Sequence, residues 1–202
     1  MIPVDPAALS ERDNYKFLIG SIIPRPIAFV TTLSEDDVLN GAPFSYFNIV
    51  TANPPMISVS VQRKEGRQKD TAKNILNKKQ FVVHIVDEQN VAKINETAAS
   101  LSPNESEIAL AGLTPIDSAK VSVPGVKEAK IRMECILEQS IPLGGTDAPG
   151  CDLIIGRVVQ FHIDENIYEK GRIDPRGLAA VSRLAGASYA KIGETFEIER
   201  PK

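Results

Sequence analysis

The residues best suited to chemistry are hydroxyl, amide and cationic side chains concentrated between positions 25 and 74, among apolar strand patterns. Ser60 ends one such pattern, and Arg63 follows closely. Lys69, Asp70 and Thr71 then open a predicted helix, whose unpaired first amides favour an anion. These residues can form an anion pocket, but taken by itself the stretch favours the alternative of a solvated charged loop.

An unusual segment, NGAPFSYF at positions 40–47, lies upstream of that pattern. Asn40 and Gly41 predict a turn or a bulge, and Pro43 lacks a backbone donor, so we expect a regular strand to be interrupted here. Backbone amides that leave a ladder are free to bind a ligand. Core packing is the alternative for the three aromatic side chains of the segment.

Familiar catalytic patterns are absent from the sequence. His84 and His162 are far apart, and no HxxxH or CxxC spacing occurs, so we predict no metal site. Neither a GxGxxG nor a P-loop lysine is present. His84 stands in an apolar strand pattern and is predicted to be a hydrogen-bonded core residue, with a proton relay as the alternative. His162 is predicted to be half-exposed, and Cys135 to be a small buried hydrophobe.

These residues need a scaffold, and the apolar periodicity predicts strands at both ends of the chain with helices between them. Turn-forming residues at 34–37 separate two strand patterns and predict a hairpin. The further predicted elements are strands at residues 56–62, 81–86, 131–141 and 151–163, and helices from residue 70, at residues 90–99, and from a capping box at 102–105 to a stop at Gly112. This order favours an α+β fold with a mostly antiparallel sheet or barrel, in a single domain covering residues 1–202.

Composition excludes several classes of protein. Of 202 residues, 43% are hydrophobic and 24% are charged, which is ordinary for a globular domain, and no stretch is long and apolar enough to span a membrane. The formal charge is −3 with cations spread along the chain, so we expect no nucleic-acid partner. The chain start lacks the pattern of an export signal, and two distant cysteines suggest no disulfide framework, so we expect a cytoplasmic protein.

Five segments, taken together and in this order, resemble the flavin reductase-like family: PRPIAFVTT, NGAPFSYFNIVTANPPMISVSV, GRQKDTAKNI, FVVHIV and GRIDPRGLAAVSRLAGASYAKIGE. The resemblance runs from about residue 21 to residue 193. It implies a six-stranded FMN-binding split β-barrel with peripheral helices, and a homodimer with FMN near the subunit interface. It also implies reduction of flavin by NADH or NADPH in many members, whereas flavoredoxin-like members mainly pass electrons.

The resemblance also implies which residues meet the flavin. Backbone groups of Ala42, Phe44 and Ser45 would line the ring. Independently of the resemblance, a carboxylate beside a phosphate repels it, so we expect Asp70 to cap its helix or to hold its loop. Arg25 ranks below Lys69 as a phosphate ligand. The full set of predicted cofactor-binding residues is Thr31, Thr32, Asn40, Ala42, Pro43, Phe44, Ser45, Ser60, Arg63, Lys69, Asp70 and Thr71. No catalytic acid or base is expected, because hydride transfer to flavin N5 requires positioning of two rings.

The expected function is therefore that of an FMN-binding oxidoreductase that uses NAD(P)H. The histidine-containing nicotinamide loop of the two-component monooxygenase reductases is not evident in this sequence, and the segment GRVVQ carries Gln160. This departure from the family leaves an alternative open. In that case the chain would be a flavoredoxin-like electron-transfer flavoprotein without its own NAD(P)H site. A split-barrel protein with an empty or differently filled pocket is the third possibility. Arg183 and Tyr189, in the last matching segment, would lie near the flavin or at a dimer contact.

Overall fold

The computed structural model describes residues 1–99, 101 and 105–201. The strands, numbered in chain order, are β1 (Arg25–Pro26), β2 (Ala28–Leu33), β3 (Leu39–Phe44), β4 (Phe47–Ala52), β5 (Pro55–Gln62), β6 (Gln80–Ile85), β7 (Pro115–Ile116), β8 (Gly125–Val126), β9 (Ile131–Leu143), β10 (Cys151–Ile163), β11 (Tyr168–Glu169), β12 (Arg172–Ile173), β13 (Val181–Arg183) and β14 (Tyr189–Lys191). The helices are α1 (Glu11–Ser21), α2 (Asp70–Lys78), α3 (Val91–Glu96), α4 (Glu107–Leu110) and α5 (Pro175–Leu178), and short 3₁₀ turns span Pro6–Ala8 and Glu165–Ile167.

The main sheet has seven strands in the order β3-β2-β6-β9-β10-β5-β4, and every neighbouring pair is antiparallel. The predicted α+β fold with a mostly antiparallel sheet is therefore confirmed. The resemblance implied six strands, and the additional edge strand arises because β4 folds back on β5. The two edges of the sheet, β3 and β4, are not hydrogen-bonded to each other, so the sheet is open.

The sheet curls around one core, because inner-face residues from both of its ends belong to the same buried cluster. Phe44 of β3 packs in this cluster with Val59 of β5, and Phe81 of β6 is a fully buried member of it. Ala72 and Ile75 of α2 join the cluster. The spacing of Ala72 and Ile75 puts them on one face of the helix, and both are buried.

β2 and β6 are covered on both sides. Their outer face carries Phe29, which packs with Ile94 of α3 and Ile108 of α4 in a second cluster. Alternate residues of a strand point to opposite faces, so Val30 lies in the first cluster and Phe29 in the second. The predicted hairpin of β2 and β3 is confirmed, with a turn closed by the Asp37 amide on the Ser34 carbonyl (3.2 Å).

Several elements differ from the sequence prediction. Helix α1 was not predicted, although Ser10 caps it by accepting from the Asp13 amide (3.1 Å). Helix α3 is shorter than the predicted 90–99, and α4 has only four residues. Most of the predicted capping box lies outside the described residues, while Gly112 adopts a positive φ of 59° just beyond α4, as expected of a helix stop.

Within the described residues, no helix is both long and apolar enough to cross a membrane.

Candidate functional site

Two adjoining cavities open beside the β3 edge. The first, called the helix cavity, measures about 450 Å³ and is lined by Asn40, Ala42, Pro43, Phe44, Lys64, Glu65, Arg67, Gln68, Lys69, Asp70, Thr71, Thr97, Ala98, Ala99, Leu101 and Glu107. The second, called the arginine cavity, measures about 270 Å³ and is lined by Tyr15, Ile19, Arg25, Pro43, Phe44, Ser45, Tyr46, Ser60, Gln62, Lys69, Arg183, Leu184 and Gly186. Pro43, Phe44 and Lys69 belong to both cavities and form the wall between them.

Nine of the twelve predicted cofactor-binding residues line these cavities. Ser45 and Ser60 are in the arginine cavity alone, and the three shared residues touch both spaces. Those in the helix cavity alone are Asn40, Ala42, Asp70 and Thr71. Those outside both cavities are Thr31, Thr32 and Arg63.

Strand β3 is not interrupted where the sequence suggested. It stays in register with β2 through Phe44, and Asn40 and Gly41 lie within the strand rather than in a turn or bulge. Glycine is needed at position 41 because an added Cβ would lie 2.5 Å from Ile108 Cδ1 and 2.7 Å from Phe29 Cζ. The glycine of the Asn-Gly pair is therefore explained by tight packing of the edge strand and not by a turn. The chain leaves the ladder only after Phe44.

The direction of the β3 amides limits what they can bind. The Gly41 amide donates to Glu107 Oε2 (3.3 Å) and therefore faces away from β2. Because amides alternate in direction along an antiparallel strand, the amides of Ala42 and Phe44 face β2. The outward position between them is Pro43, which has no amide hydrogen. The helix cavity is therefore lined by side chains of β3, and the amides of Ala42 and Phe44 point away from it.

Glu107, which sequence reasoning missed, organises one wall of the helix cavity. Its Oε2 accepts from Asn40 Nδ2 (2.8 Å) as well as from the Gly41 amide. Burial raises the pKa of Glu107, although the amides that it meets act in the opposite direction. Its position at the first residue of α4 was the available signal, because acidic residues favour helix N-termini.

Asn40 is held from both ends of its amide group. While its nitrogen donates to Glu107, its Oδ1 lies 3.4 Å from the hydroxyls of both Thr32 and Thr71. The Thr32 hydroxyl also accepts from Asn74 Nδ2 (3.1 Å) on α2. This buried network ties β2, β3, α2 and α4 together. It fixes the Asn40 side chain at the cavity surface.

The two threonines of β2 are both fully buried, on opposite faces of the strand. Thr31 donates to the Pro124 carbonyl (2.8 Å) on one face, and Thr32 joins the Asn40 network on the other. Thr32 therefore acts behind the helix cavity, through Asn40. Thr31 contributes to the packing of the residue 124 loop.

Arg63 is engaged away from both cavities. Its Nε and its NH2 donate to the two carboxylate oxygens of Asp152, at 2.9 and 2.6 Å, in a bidentate ion pair. Burial would raise the pKa of Asp152, but the hydrogen bonds from Arg63 and from Gln68 lower it below its usual value. The predicted phosphate role of Arg63 would require this pair to open.

The start of α2 lies at the floor of the helix cavity. Lys69 occupies the N-cap position without a side-chain cap bond, and Asp70 is the first helical residue. The expectation that Asp70 caps the helix is therefore wrong. The Lys69 Nζ lies 6.0 Å from the centroid of the Phe44 ring, so its charge borders both cavities. Exposed Lys69 and buried Thr71 thus flank a helix N-terminus suited to an anion.

The arginine cavity has a different chemistry. Arg25, which is only 6% exposed, donates from NH1 to the carbonyls of Ile19 (2.7 Å) and Ile22, and from NH2 to that of Leu184 (2.9 Å). Its Nε is buried without a hydrogen-bond partner among the described residues. Arg183 stands directly opposite on the paired strand β13.

The histidines serve structure. His84 is fully buried, with Nδ1 2.9 Å from the Phe29 carbonyl and Nε2 accepting from the Val126 amide (3.0 Å), which confirms the predicted core residue. Burial lowers the pKa of His84 to about 4. His162 Nε2 lies 2.5 Å from Oε1 of the buried Glu134. Among the described residues, no group of three metal-ligating side chains comes together.

Cys135 is buried in the first core cluster, as predicted for a small hydrophobe. Desolvation raises the pKa of its thiol well above the usual value, so it stays protonated. Cys151, at the start of β10, is half-buried.

Most of the chain, with both cavity-forming segments, falls within a known domain family. The model of the flavin reductase-like domain matches residues 19–179, which include β1 to β12 and both cavity-forming segments around β3 and α2. The chain belongs to the flavin reductase-like family. Its open, curled antiparallel sheet is the split barrel that the resemblance implied.

Known proteins cover nearly the whole chain. A crystal structure of nitrilotriacetate monooxygenase component B from Bacillus cereus is 66% identical, with 98% of each chain covered and a TM-score of 0.97. The 2-nitrobenzoate 2-nitroreductase NbaA of Pseudomonas fluorescens is 28% identical, with 99% of this chain and 96% of that chain covered and a TM-score of 0.89. YwrF of Bacillus subtilis is 54% identical, with 96% of each chain covered. The family and these oxidoreductase neighbours support a flavin-related redox function.

Proposed function

We propose that this protein binds FMN across the two cavities and catalyses NAD(P)H-dependent reduction of flavin. The observation that carries the proposal is that nine residues, predicted from separate segments of sequence, converge on two adjoining spaces with a shared wall. One space has a helix N-terminus suited to phosphate, and the other has aromatic walls suited to a planar ring. The names of the neighbouring monooxygenase component and nitroreductase add support for a redox role.

The residues present fit FMN. In the helix cavity, Lys69 and Thr71 at the start of α2 would hold the phosphate, with Arg67 as a second cation. Asn40, fixed by Glu107, would offer its amide group to the polar part of the cofactor. Arg25 lines the arginine cavity, and its buried Nε has no hydrogen-bond partner among the described residues.

In the arginine cavity, Phe44 and Tyr46 would pack along the ring, and the Ser45 and Ser60 hydroxyls would bind its polar edge. Bound FMN would supply the hydride chemistry, accepting a hydride at N5. The protein residues would position the two reacting rings and exclude water, and no side-chain acid or base is assigned.

The first experiment tests cofactor binding. We expect the purified protein to be yellow or to become so on addition of FMN, with released FMN identified after denaturation. A colourless protein that fails to quench FMN fluorescence on titration would remove the proposal.

The second experiment tests the electron source. Anaerobic mixing of the FMN-loaded protein with NADH or with NADPH should bleach the flavin absorbance. If the flavin stays oxidised with both, the protein is instead an electron-transfer flavoprotein reduced by another protein. We place the protein in the cytoplasm, where both nicotinamides are available.

We also propose a homodimer, on the evidence of exposed apolar residues on an edge strand and on α1. Ile49 of the edge strand β4 is 77% exposed, and Leu18 and Ile22 of α1 are also exposed. An exposed, apolar edge strand is a site for pairing with another chain. Ile49→Glu should convert a dimer to a monomer in sedimentation velocity, whereas Tyr168→Glu, at an exposed aromatic of β11, should not. A wild-type monomer at micromolar concentration would disprove the dimer.

A further inference from the structure

The arginine cavity contains positive charge that the chain's own side chains do not balance. Arg25 is nine-tenths buried, yet its guanidinium donates only to neutral carbonyls, and no carboxylate of the described residues lies within 4.0 Å of it. Burying a charge without an opposite charge is unfavourable. The free Nε adds a donor with no acceptor.

A second arginine increases this cost. Arg183 is the direct cross-strand partner of Arg25, and like charges in that position repel. Its guanidinium lies 4.4 Å from the centroid of the Tyr189 ring, and its NH2 donates to the Gly186 carbonyl (2.6 Å). Both groups are neutral, so they orient the cation without cancelling it. Lys69 brings a third cation to the same cavity.

No acidic residue lines the arginine cavity, among the residues that the structure describes. Tyr46 does not supply a negative charge either, because desolvation and the neighbouring Tyr15 raise the pKa of its hydroxyl. The helix cavity differs, since Glu65, Asp70 and Glu107 accompany its three cations Lys64, Arg67 and Lys69. The charges of the arginine cavity therefore favour an anionic ligand.

We infer that Arg25 and Arg183 bind the negative charge that FMN carries after two-electron reduction, so that the protein holds reduced FMN more tightly than oxidised FMN. This inference rests on the proposed function. A hydride brings two electrons and one proton to N5, and the charge that it adds is shared by N1 and O2 of the ring. The phosphate has the same charge in both redox states, so it gives no such preference.

The preference is measurable as a reduction potential. A tenfold tighter binding of the reduced form makes the two-electron potential of bound FMN about 30 mV more positive than that of free FMN. With one proton taken up per two electrons, the potential changes by about 30 mV per pH unit, half the change for two protons. Both quantities can be read by equilibrating the FMN-loaded protein with a redox dye, without any turnover assay.

Arg183→Met is the decisive variant, because it keeps the aliphatic stem and removes the charge. We expect it to lose at least tenfold of the preference for reduced FMN, whereas Arg183→Lys should keep most of that preference. Arg67→Met, which removes a cation from the helix cavity, should weaken both redox forms by the same factor and leave the potential unchanged. Arg25→Lys, in which a charge remains at the buried position, should retain a raised potential if it folds.

Two results would overturn the inference. One is a wild-type potential equal to or below that of free FMN. The other is equal weakening of oxidised and reduced FMN in Arg183→Met, which would assign the cations to the phosphate or to another constant charge. These outcomes leave FMN binding intact, whereas a protein that binds neither redox form would remove the proposed function itself.

Discussion

The two cavities share a wall but differ in electrostatic design. The helix cavity places three carboxylates among three cations, and its polar side chains bond to one another through Asn40 and Glu107. The arginine cavity has three cations, no carboxylate among the described residues, and one unpartnered buried donor. The difference teaches that charge count alone does not identify a ligand site. The side chains of the helix cavity hold one another in place, whereas the cations of the arginine cavity face no opposite charge among the described residues.

The largest expected effect is a pH dependence of stability that comes from the buried His84. The pKa of His84 is lowered by burial to about 4, so the unfolded chain binds a proton below pH 6.5 while the folded chain does not. The free energy of unfolding should therefore fall by about 1.4 kcal/mol per pH unit between pH 6.5 and 4. Denaturant titrations at several pH values would measure this.

A matched variant isolates the histidine from the carboxylates that titrate in the same range. His84→Asn should lower stability at pH 7 because it disturbs the bonds to the Phe29 carbonyl and the Val126 amide. Its stability should then depend less on pH than that of the wild type between pH 6.5 and 5. Parallel pH curves for the two proteins would exclude His84 as the titrating group.

Lys69 tests the shared wall. Lys69→Ala should weaken FMN binding by roughly tenfold to 150-fold, because a charge-assisted contact to phosphate is worth about 1.5–3 kcal/mol. Lys73→Ala, an exposed lysine one turn along α2 that lines neither of the two cavities, serves as the control. Equal affinities of the two variants in a fluorescence titration would remove Lys69 from the site.

Gly41 tests whether the β3 edge must lie close to the second core cluster. Gly41→Ala should cost about 1–3 kcal/mol of stability, because its Cβ would overlap Ile108 and Phe29. Ile108→Val in the same chain should recover part of the loss by making room. Gly20→Ala is the control, since nothing lies within 4 Å of an added Cβ there and alanine favours a helix. No loss of stability in Gly41→Ala would contradict the packing explanation.

The smallest expected effect is on FMN affinity, when the charge of Glu107 is removed from the helix cavity. Glu107→Gln keeps an acceptor for the Asn40 side chain and removes one negative charge from the helix cavity. FMN affinity should rise by up to about fivefold, because a partly screened charge pair is worth up to about 1 kcal/mol. The effect should be the same for oxidised and reduced FMN. If the substitution changed the affinity for one redox form of FMN more than for the other, the helix cavity would also sense the redox state, and the proposed difference between the two cavities would be wrong.

Much of the fold could be predicted from local pattern. The hairpin of β2 and β3, the long strands β9 and β10, and the start of α2 follow from periodicity and turn chemistry, which depend on neighbours in sequence. The edge strand β4 was missed because its residues 47–52 lack alternation and continue an aromatic segment. Helix α1 was missed as well, although Ser10 and Asp13 form a visible capping pattern.

The sequence predicted most of the residues that line the candidate site, but not the contacts that those residues make. The five matching segments alone determined the family, and with it a set of residues of which most line the two cavities. Only the tertiary structure showed that Arg63 is paired with Asp152, that Glu107 holds Asn40, and that Arg25 faces Arg183 across two strands. These contacts join residues up to 158 positions apart, as the strand register of Arg25 with Arg183 illustrates. Local sequence sets what each segment can form, whereas long-range pairing decides which charges meet and which are left without a partner.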